Sequence, residues 1–201
     1  SIMQPILSAI QNRRSIRKYQ DAAVPQPLVE QVLRAGTLAP SSKNRQPWQF
    51  VVVSGQSKKE MLWAMQQGLR RERRLPLLPN SKQHLPGAEH TLEIMKQAPV
   101  TIFVVNPLGA SLSAALTPEE RIYEICNAQS VGAAIENMTL QAAELGLGSL
   151  WICDIFFAYQ ELCDWLQAGG QLIAALALGY AAETPPARPR KLWQDTVQWR
   201  G

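Results

Sequence analysis

Charge is scarce in this sequence. Asp, Glu, Lys and Arg make up 18% of the 201 residues, where a typical domain carries about a quarter. Apolar residues make up 46%, so a disordered chain, which combines low hydrophobicity with high charge, is excluded. The shortage of charge points to surface covered by something other than water, a partner subunit or a cofactor. Cysteine is scarce too. Cys126, Cys153 and Cys163 form no CxxC pair; an odd, sparse count argues against a disulfide framework and suits a reducing compartment. Each cysteine reads as a small core residue. The two histidines, His84 and His90, have no metal-ligand spacing, so no metal site is expected. No apolar run reaches the roughly 18 residues that span a bilayer. Ser1 to Ile10 lacks the apolar stretch of a signal peptide, and a cytoplasmic protein with no membrane partner is expected.

Catalytic signatures are missing as well. There is no GxSxG, no HExxH, no convincing Cys–His pair and no phosphate-binding P-loop. Gly146-Leu147-Gly148 follows a helix rather than a strand and has Trp151 where a dinucleotide fingerprint needs its third glycine. Side chains alone are therefore not expected to carry a reaction. A cofactor would supply it.

The length fits one domain, residues 1–201. Helices and strands alternate irregularly, which predicts α+β layers. A first helix begins at Pro5, and a second spans Pro27 to Ala35, with Leu28, Val29, Val32 and Leu33 on one face. Phe50 to Val53 reads as a buried strand. Ser57 and Glu60 predict a capping box for a helix over Lys58 to Arg73. Prolines break regular structure between Leu75 and Gly87, a short helix covers Ala88 to Gln97, and Val100 to Val105 is a second buried strand. Thr117-Pro118-Glu119-Glu120 is the strongest helix start in the chain. The helix it opens runs about 28 residues to Gly146, or roughly 42 Å. From Val131 to Leu145 it is apolar nearly all round, so most of its faces should be buried. A dimer interface is expected there, with Gly132-Ala133-Ala134 allowing close approach. Strands follow at Ser149 to Cys153 and Leu172 to Leu178, with a helix from Tyr159 to Gln167 between them. The Pro- and Arg-rich tail 184–201 reads as an extended arm.

The net charge is +4. Its informative part lies in two groups: Arg13 to Lys18, four cations in six residues, and Arg188 with Arg190, which share one face of an extended arm. A guanidinium fork suits a phosphate, and two short groups closing on a dianion suit a monophosphate. A nucleic acid would prefer a wide stripe with interleaved aromatics, which is absent, so no nucleic-acid partner is expected. Arg70-Arg71-Glu72-Arg73-Arg74 reads as the solvated end of a helix.

Arg13-Arg14-Ser15-Ile16-Arg17-Lys18-Tyr19 and Ala39-Pro40-Ser41-Ser42-Lys43-Asn44-Arg45-Gln46-Pro47-Trp48 resemble the two N-terminal motifs of the FMN-dependent nitroreductase family. The likeness continues through Ser130 to Met138, Ala143 to Ser149, Leu178-Gly179-Tyr180 and Pro185 to Lys191, and is weakest over 56–118. It implies an interlocked α+β homodimer, with a central mixed sheet flanked by helices and a long interface helix. FMN would sit at the interface, with NAD(P)H as electron donor and a small-molecule electron acceptor, such as a nitroaromatic or a quinone, reduced in a ping-pong cycle. No side chain would be catalytic, since flavin N5 carries the chemistry. Arg13, Ser15 and Arg17 would hold FMN with Arg14 nearby, and Arg188 and Arg190 would complete the phosphate site. Ser41, Ser42 and Asn44 would come from the other subunit. Trp151, Ile152 and Cys153 would line one flavin edge. Segment 56–118 would form a variable, lid-like entrance. Cys153-Asp154 stands where relatives often have Glu-Gly; Asp154 would narrow or charge that face. The alternative is a flavin-binding protein without NAD(P)H turnover, for storage, sensing or breakdown.

Overall fold

In the computed structural model, residues 4–201 are described. Helices α1 (Pro5–Asn12) and α2 (Gln26–Thr37) precede strand β1 (Gln49–Ser54). Helices α3 (Ser57–Arg74) and α4 (Leu85–Gln97) lead to β2 (Val100–Asn106). The long α5 (Pro118–Glu144) is followed by β3 (Gly148–Ile152), α6 (Tyr159–Leu166) and β4 (Gln171–Gly179). The strand order is β1-β2-β4-β3. The architecture is α+β, a central sheet with helices on both faces. The sheet expected to be mixed is antiparallel in all three strand pairings. Its parallel component is one bridge, Ser15 to Ser149, on the outer edge of β3.

The sheet divides two cores. On one face Met61, Met65, Leu92, Met95 and Leu162 from α3, α4 and α6 pack on Phe103, Val105 and Ala175. Gly68 lets α3 approach the 3-10 turn Asp154–Ala158; a Cβ at that position would lie 2.4 Å from Ala158 Cα. On the other face Val29 and Val32 of α2 and Val131, Ile135 and Met138 of α5 pack on Ile102, Val104, Leu176 and Leu178. Segment 56–118, expected to be lid-like, thus includes a central strand and two core helices. Its longest stretch without helix or strand is 107–117.

Three local expectations are corrected. β1 is an edge strand in which only Val53 is buried, and Val52 is 42% exposed, because one edge and most of one face lack a covering element. Ser57 is the first residue of α3 rather than its cap, and Glu60 accepts instead from Trp165 Nε1 at 3.1 Å. The Gly55 turn, at φ +57°, brings the chain into the helix too early for a capping box. None of the three cysteines is fully buried, and Cys153 is exposed, because β3 alternates: Leu150 and Ile152 face the core while Trp151 and Cys153 face out.

α5 follows the sequence closely. Glu120 N–H donates to Thr117 Oγ1 at 3.2 Å and Thr117 N–H donates to Glu120 Oε1 at 3.1 Å, a complete capping box. The helix ends in a Schellman pattern: Leu147 N–H reaches Ala142 O at 2.8 Å and Gly146 adopts φ +76°. Over 131–145, where burial on most faces is expected, only Glu136 and Glu144 are exposed, and Val131, Ile135, Met138 and Ala142 are buried; before that stretch Ile122, Tyr123 and Ile125 are exposed.

Candidate functional site

Residues 18–20 and 180–182 form a backbone clasp. Gln20 N–H donates to Tyr180 O and Ala182 N–H donates to Lys18 O, each at 2.8 Å, and Tyr19 bridges Ala181. The segment before residue 18 and the arm after residue 182 are therefore held side by side, although about 170 residues of chain separate them. Ile16 N–H donates to Ser149 O at 2.9 Å, which lays the Arg13–Arg17 segment along the edge of β3.

The result is a cleft of about 360 Å³ lined by Arg13, Arg14, Ser15, Arg17, Arg188 and Arg190, together with Ile10, Gln11, Glu136 and residues 185–187 of the arm. The two arginine groups singled out from the sequence share this one cavity. Five guanidiniums and one carboxylate leave it strongly positive. Their roles differ. Arg14 Nη1 donates to the main-chain oxygens of Gln11 (2.6 Å) and Arg13 (2.9 Å), so its charge sits against the C-terminal end of α1, where a cation is favoured. Arg190 Nη1 donates to Arg188 O at 3.2 Å, which shapes the arm. Among the described residues, no carboxylate pairs with Arg17, Arg188 or Arg190. Arg13 Nε lies 3.7 Å from Glu136 Oε1. Such a cavity can hold a dianion by charge-assisted hydrogen bonds.

Ser41, Ser42 and Asn44 do not line this cleft. Their loop is fixed instead to the N-terminal half of α5. Ser42 N–H donates to Ser130 Oγ at 3.4 Å, Arg45 Nε donates to Asn127 Oδ1 at 3.2 Å, and the Arg45 guanidinium lies 4.9 Å from the centre of the Tyr123 ring. Ser130 and Glu136 are six residues apart, about 9 Å along the helix and roughly a third of a turn around it. Lys43, Asn44 and Gln46 all adopt positive φ, at 56°, 50° and 52°, a strained backbone of the kind that persists where surrounding contacts over-determine it. Gln46 N–H donating to Ser41 Oγ at 3.0 Å is one such contact.

On β3, Ile152 points into the core, so only its backbone can face a ligand. Trp151 is 41% exposed and leans over α5, where a Cβ on Gly132 would lie 3.8 Å from its ring. Partial burial and the neighbouring Asp154 push the Cys153 thiol above its ordinary value, which disfavours the nucleophilic thiolate. Asp154 turns toward α4 and accepts from Thr91 Oγ1 at 2.6 Å.

Three features escaped the sequence reading. Glu136 enters the arginine cleft; its signal was that it and Glu144 are the only charges between Ile125 and Leu145. Glu183 accepts from Arg17 N–H at 3.4 Å. Arg71, read as part of a solvated run, is bound bidentately by Glu161 (3.1 Å at each oxygen), pairs with Glu72 and donates to Phe157 O at 3.1 Å. Among the described residues there is no cluster of three or more His, Cys, Asp or Glu able to hold a metal, and no helix is long and apolar enough to cross a membrane.

Residues 10–180 match the profile of the Nitroreductase family. A Methanothermobacter thermautotrophicus protein, provisionally named an NADH dehydrogenase/NAD(P)H nitroreductase, is 32% identical over 192 residues, covering 91% of this chain and 81% of its own. A Desulfovibrio desulfuricans protein, provisionally named a nitroreductase and solved with FMN, superposes with a TM-score of 0.73 at 27% identity, covering 100% of this chain and 99% of its own. A BluB-like flavoprotein from Clostridium difficile superposes with a TM-score of 0.74 at 25% identity, covering 100% of each chain.

Proposed function

The chain belongs to the nitroreductase family, and from that premise we propose that it is an FMN-dependent oxidoreductase. It would take electrons from NAD(P)H and pass them to a small conjugated acceptor, a quinone or a nitroaromatic. The observation that carries this reading is the convergence of Arg13, Ser15, Arg17, Arg188 and Arg190 on one cleft. Its charge and size fit the terminal monophosphate of FMN. The FMN in the Desulfovibrio relative supports the same choice.

FMN, when bound, supplies hydride acceptance and donation at N5, which allows donor and acceptor to use one face in turn. The chain's own residues bind and orient. The Arg13, Arg188 and Arg190 forks would hold the phosphate, Arg17 would face the ribityl or pyrimidine side, and Ser15 would add a hydroxyl. The outer edge of β3 beyond Ser149 carries main-chain N–H groups without a strand partner, and Trp151 and Cys153 flank them with exposed side chains. No side chain there is poised for acid–base work, in keeping with chemistry carried by the cofactor.

The protein would act as a homodimer, each chain one FMN-binding domain with 184–201 as its arm. Ser41, Ser42 and Asn44 lie outside their own chain's cleft, so they would serve the partner's. The exposed Ile122, Tyr123 and Ile125 of α5, and Leu192, Trp193 and Trp199 of the arm, offer the apolar surface that such an interface needs. Burial of that surface would account for the low charge content.

Steady-state oxidation of NADH and NADPH with a quinone tests the reading. Turnover that requires added or co-purified FMN supports it. A protein that retains FMN yet turns over neither nicotinamide belongs to the second reading, a flavin-binding protein without turnover, toward which the likeness to a BluB-like flavoprotein leans.

A further inference from the structure

Five arginines in one small cavity raise a physical problem. Unpaired, they repel one another and are free to point anywhere, and a carboxylate in the same cavity repels the very anion it should hold. Glu136 is that carboxylate. Its contacts resolve the problem. Glu136 Oε1 approaches Arg13 at Nε, 3.7 Å away, on the side of the guanidinium rather than its end. Among the described residues the terminal nitrogens of Arg13 have no partner, and that end remains for an oxyanion. Glu136 is itself held. The Thr139 hydroxyl, one helical turn on and buried, hydrogen-bonds the Glu136 carboxylate and lies 2.9 Å from its main-chain oxygen. Arg13 follows directly on α1, with its N–H on Ala9 O at 3.0 Å, so its backbone is fixed as well.

We infer that Glu136, locked by Thr139, is a positioning residue: it takes the Nε side of Arg13 and presents the two terminal nitrogens to the phosphate of the flavin. The inference rests on the phosphate assignment above and adds a residue that the two arginine groups do not contain. It predicts an unusual sign. Removing a negative charge from an anion site would ordinarily tighten anion binding. Here it weakens it, because a guanidinium that donates two ordered hydrogen bonds becomes one free among many rotamers.

The test is the equilibrium affinity of the wild-type protein and of Glu136→Ala, Glu136→Gln and Thr139→Val for FMN and for riboflavin, which lacks the phosphate. Wild type should prefer FMN. Glu136→Ala should lose about tenfold in FMN affinity with riboflavin affinity unchanged. Glu136→Gln keeps the length of the side chain and a polar oxygen near Arg13 Nε but loses the charge that faces it at 3.7 Å, so it should recover part of the loss. Thr139→Val should fall between them. Tighter FMN binding in Glu136→Ala and Glu136→Gln would overturn the inference and make Glu136 a competing anion. Equal losses for both flavins in Glu136→Ala would overturn it in favour of a general structural role. A wild type that binds the two flavins equally would remove the phosphate assignment itself, and the inference with it.

Discussion

The hydroxyl of Thr91 donates to Asp154 Oδ2 at 2.6 Å, and this bond decides what the acidic residue after β3 does. Asp154 stands where the resemblance expects glycine, so its carboxylate would be expected to charge the flavin face. Thr91, on α4 and buried, draws it toward the helix layer instead. Thr91→Val should free the carboxylate at a stability cost of about 1–2 kcal/mol, measured by urea unfolding, and should lower the apparent affinity for anionic acceptors. Asp154→Asn should cost less stability, because the Thr91 hydroxyl also lies 3.1 Å from Gly87 O.

Arg13→Ala and Arg190→Ala each remove a charge-assisted contact to the proposed phosphate. Each should cost about 1.5–3 kcal/mol of FMN binding, roughly 10- to 150-fold, as read by fluorescence titration. Arg14→Ala should cost much less FMN affinity, since Arg14 is spent on the Gln11 and Arg13 carbonyls; its loss should appear as fraying of α1.

Glu72 anchors the segment after α3. It is buried, accepts from Leu77 N–H at 3.1 Å and Leu78 N–H at 2.8 Å, and pairs with Arg71. Burial alone would raise its pKa; the Leu78 and Leu77 N–H groups and Arg71 outweigh it and hold the carboxyl below its ordinary value of 4.5. A carboxyl depressed in the folded state adds stability above the unfolded value and loses it as pH falls through the folded one. Acid unfolding should therefore steepen below about pH 4.5, and Glu72→Gln should flatten that limb. Glu72→Ala should cost about 1–3 kcal/mol by leaving the Leu77 and Leu78 N–H groups without their acceptor, while Arg71 keeps Glu161, with residues 75–84 the first to be cleaved in limited proteolysis.

Gly132 separates the two surfaces that could crowd it. Within the chain, a Cβ there meets only the Trp151 ring, at 3.8 Å. Gly132→Ala should keep the subunit folded, with a helix-propensity gain of about 0.5–1 kcal/mol. In the proposed dimer, Gly132→Leu should displace Trp151 and part the two chains, seen as a shift toward monomer in sedimentation and as faster FMN loss. A Gly132→Leu protein that stays dimeric with FMN firmly bound would take this helix out of the proposed interface.

Much of the fold could be read because its signals are local. Thr117 and Glu120 are three residues apart, Gly146 ends the helix they begin, and the observed α5 differs from the expected one by about a residue. The pairing of the two arginine groups was legible as chemistry, since guanidiniums at both ends of a low-charge chain suggest a common anion. The backbone clasp that joins them was not, because hydrogen bonds between residues 18–20 and 180–182 leave no mark on side-chain pattern. Glu136 was hidden for the same reason: its partner lies over a hundred residues away. The edge position of β1 was misread because an apolar β-branched run looks alike whether or not its edge and both its faces are covered. Cys153 went astray as a core residue, because alternation along a short strand decides which side chain faces in.

The proposed activity is tested most directly by anaerobic titration of the FMN-loaded protein with NADH and with NADPH, following the visible flavin band. The account predicts that one nicotinamide bleaches the band stoichiometrically and that a quinone then restores it. A band that persists with both nicotinamides, in a protein that still holds FMN, would contradict it.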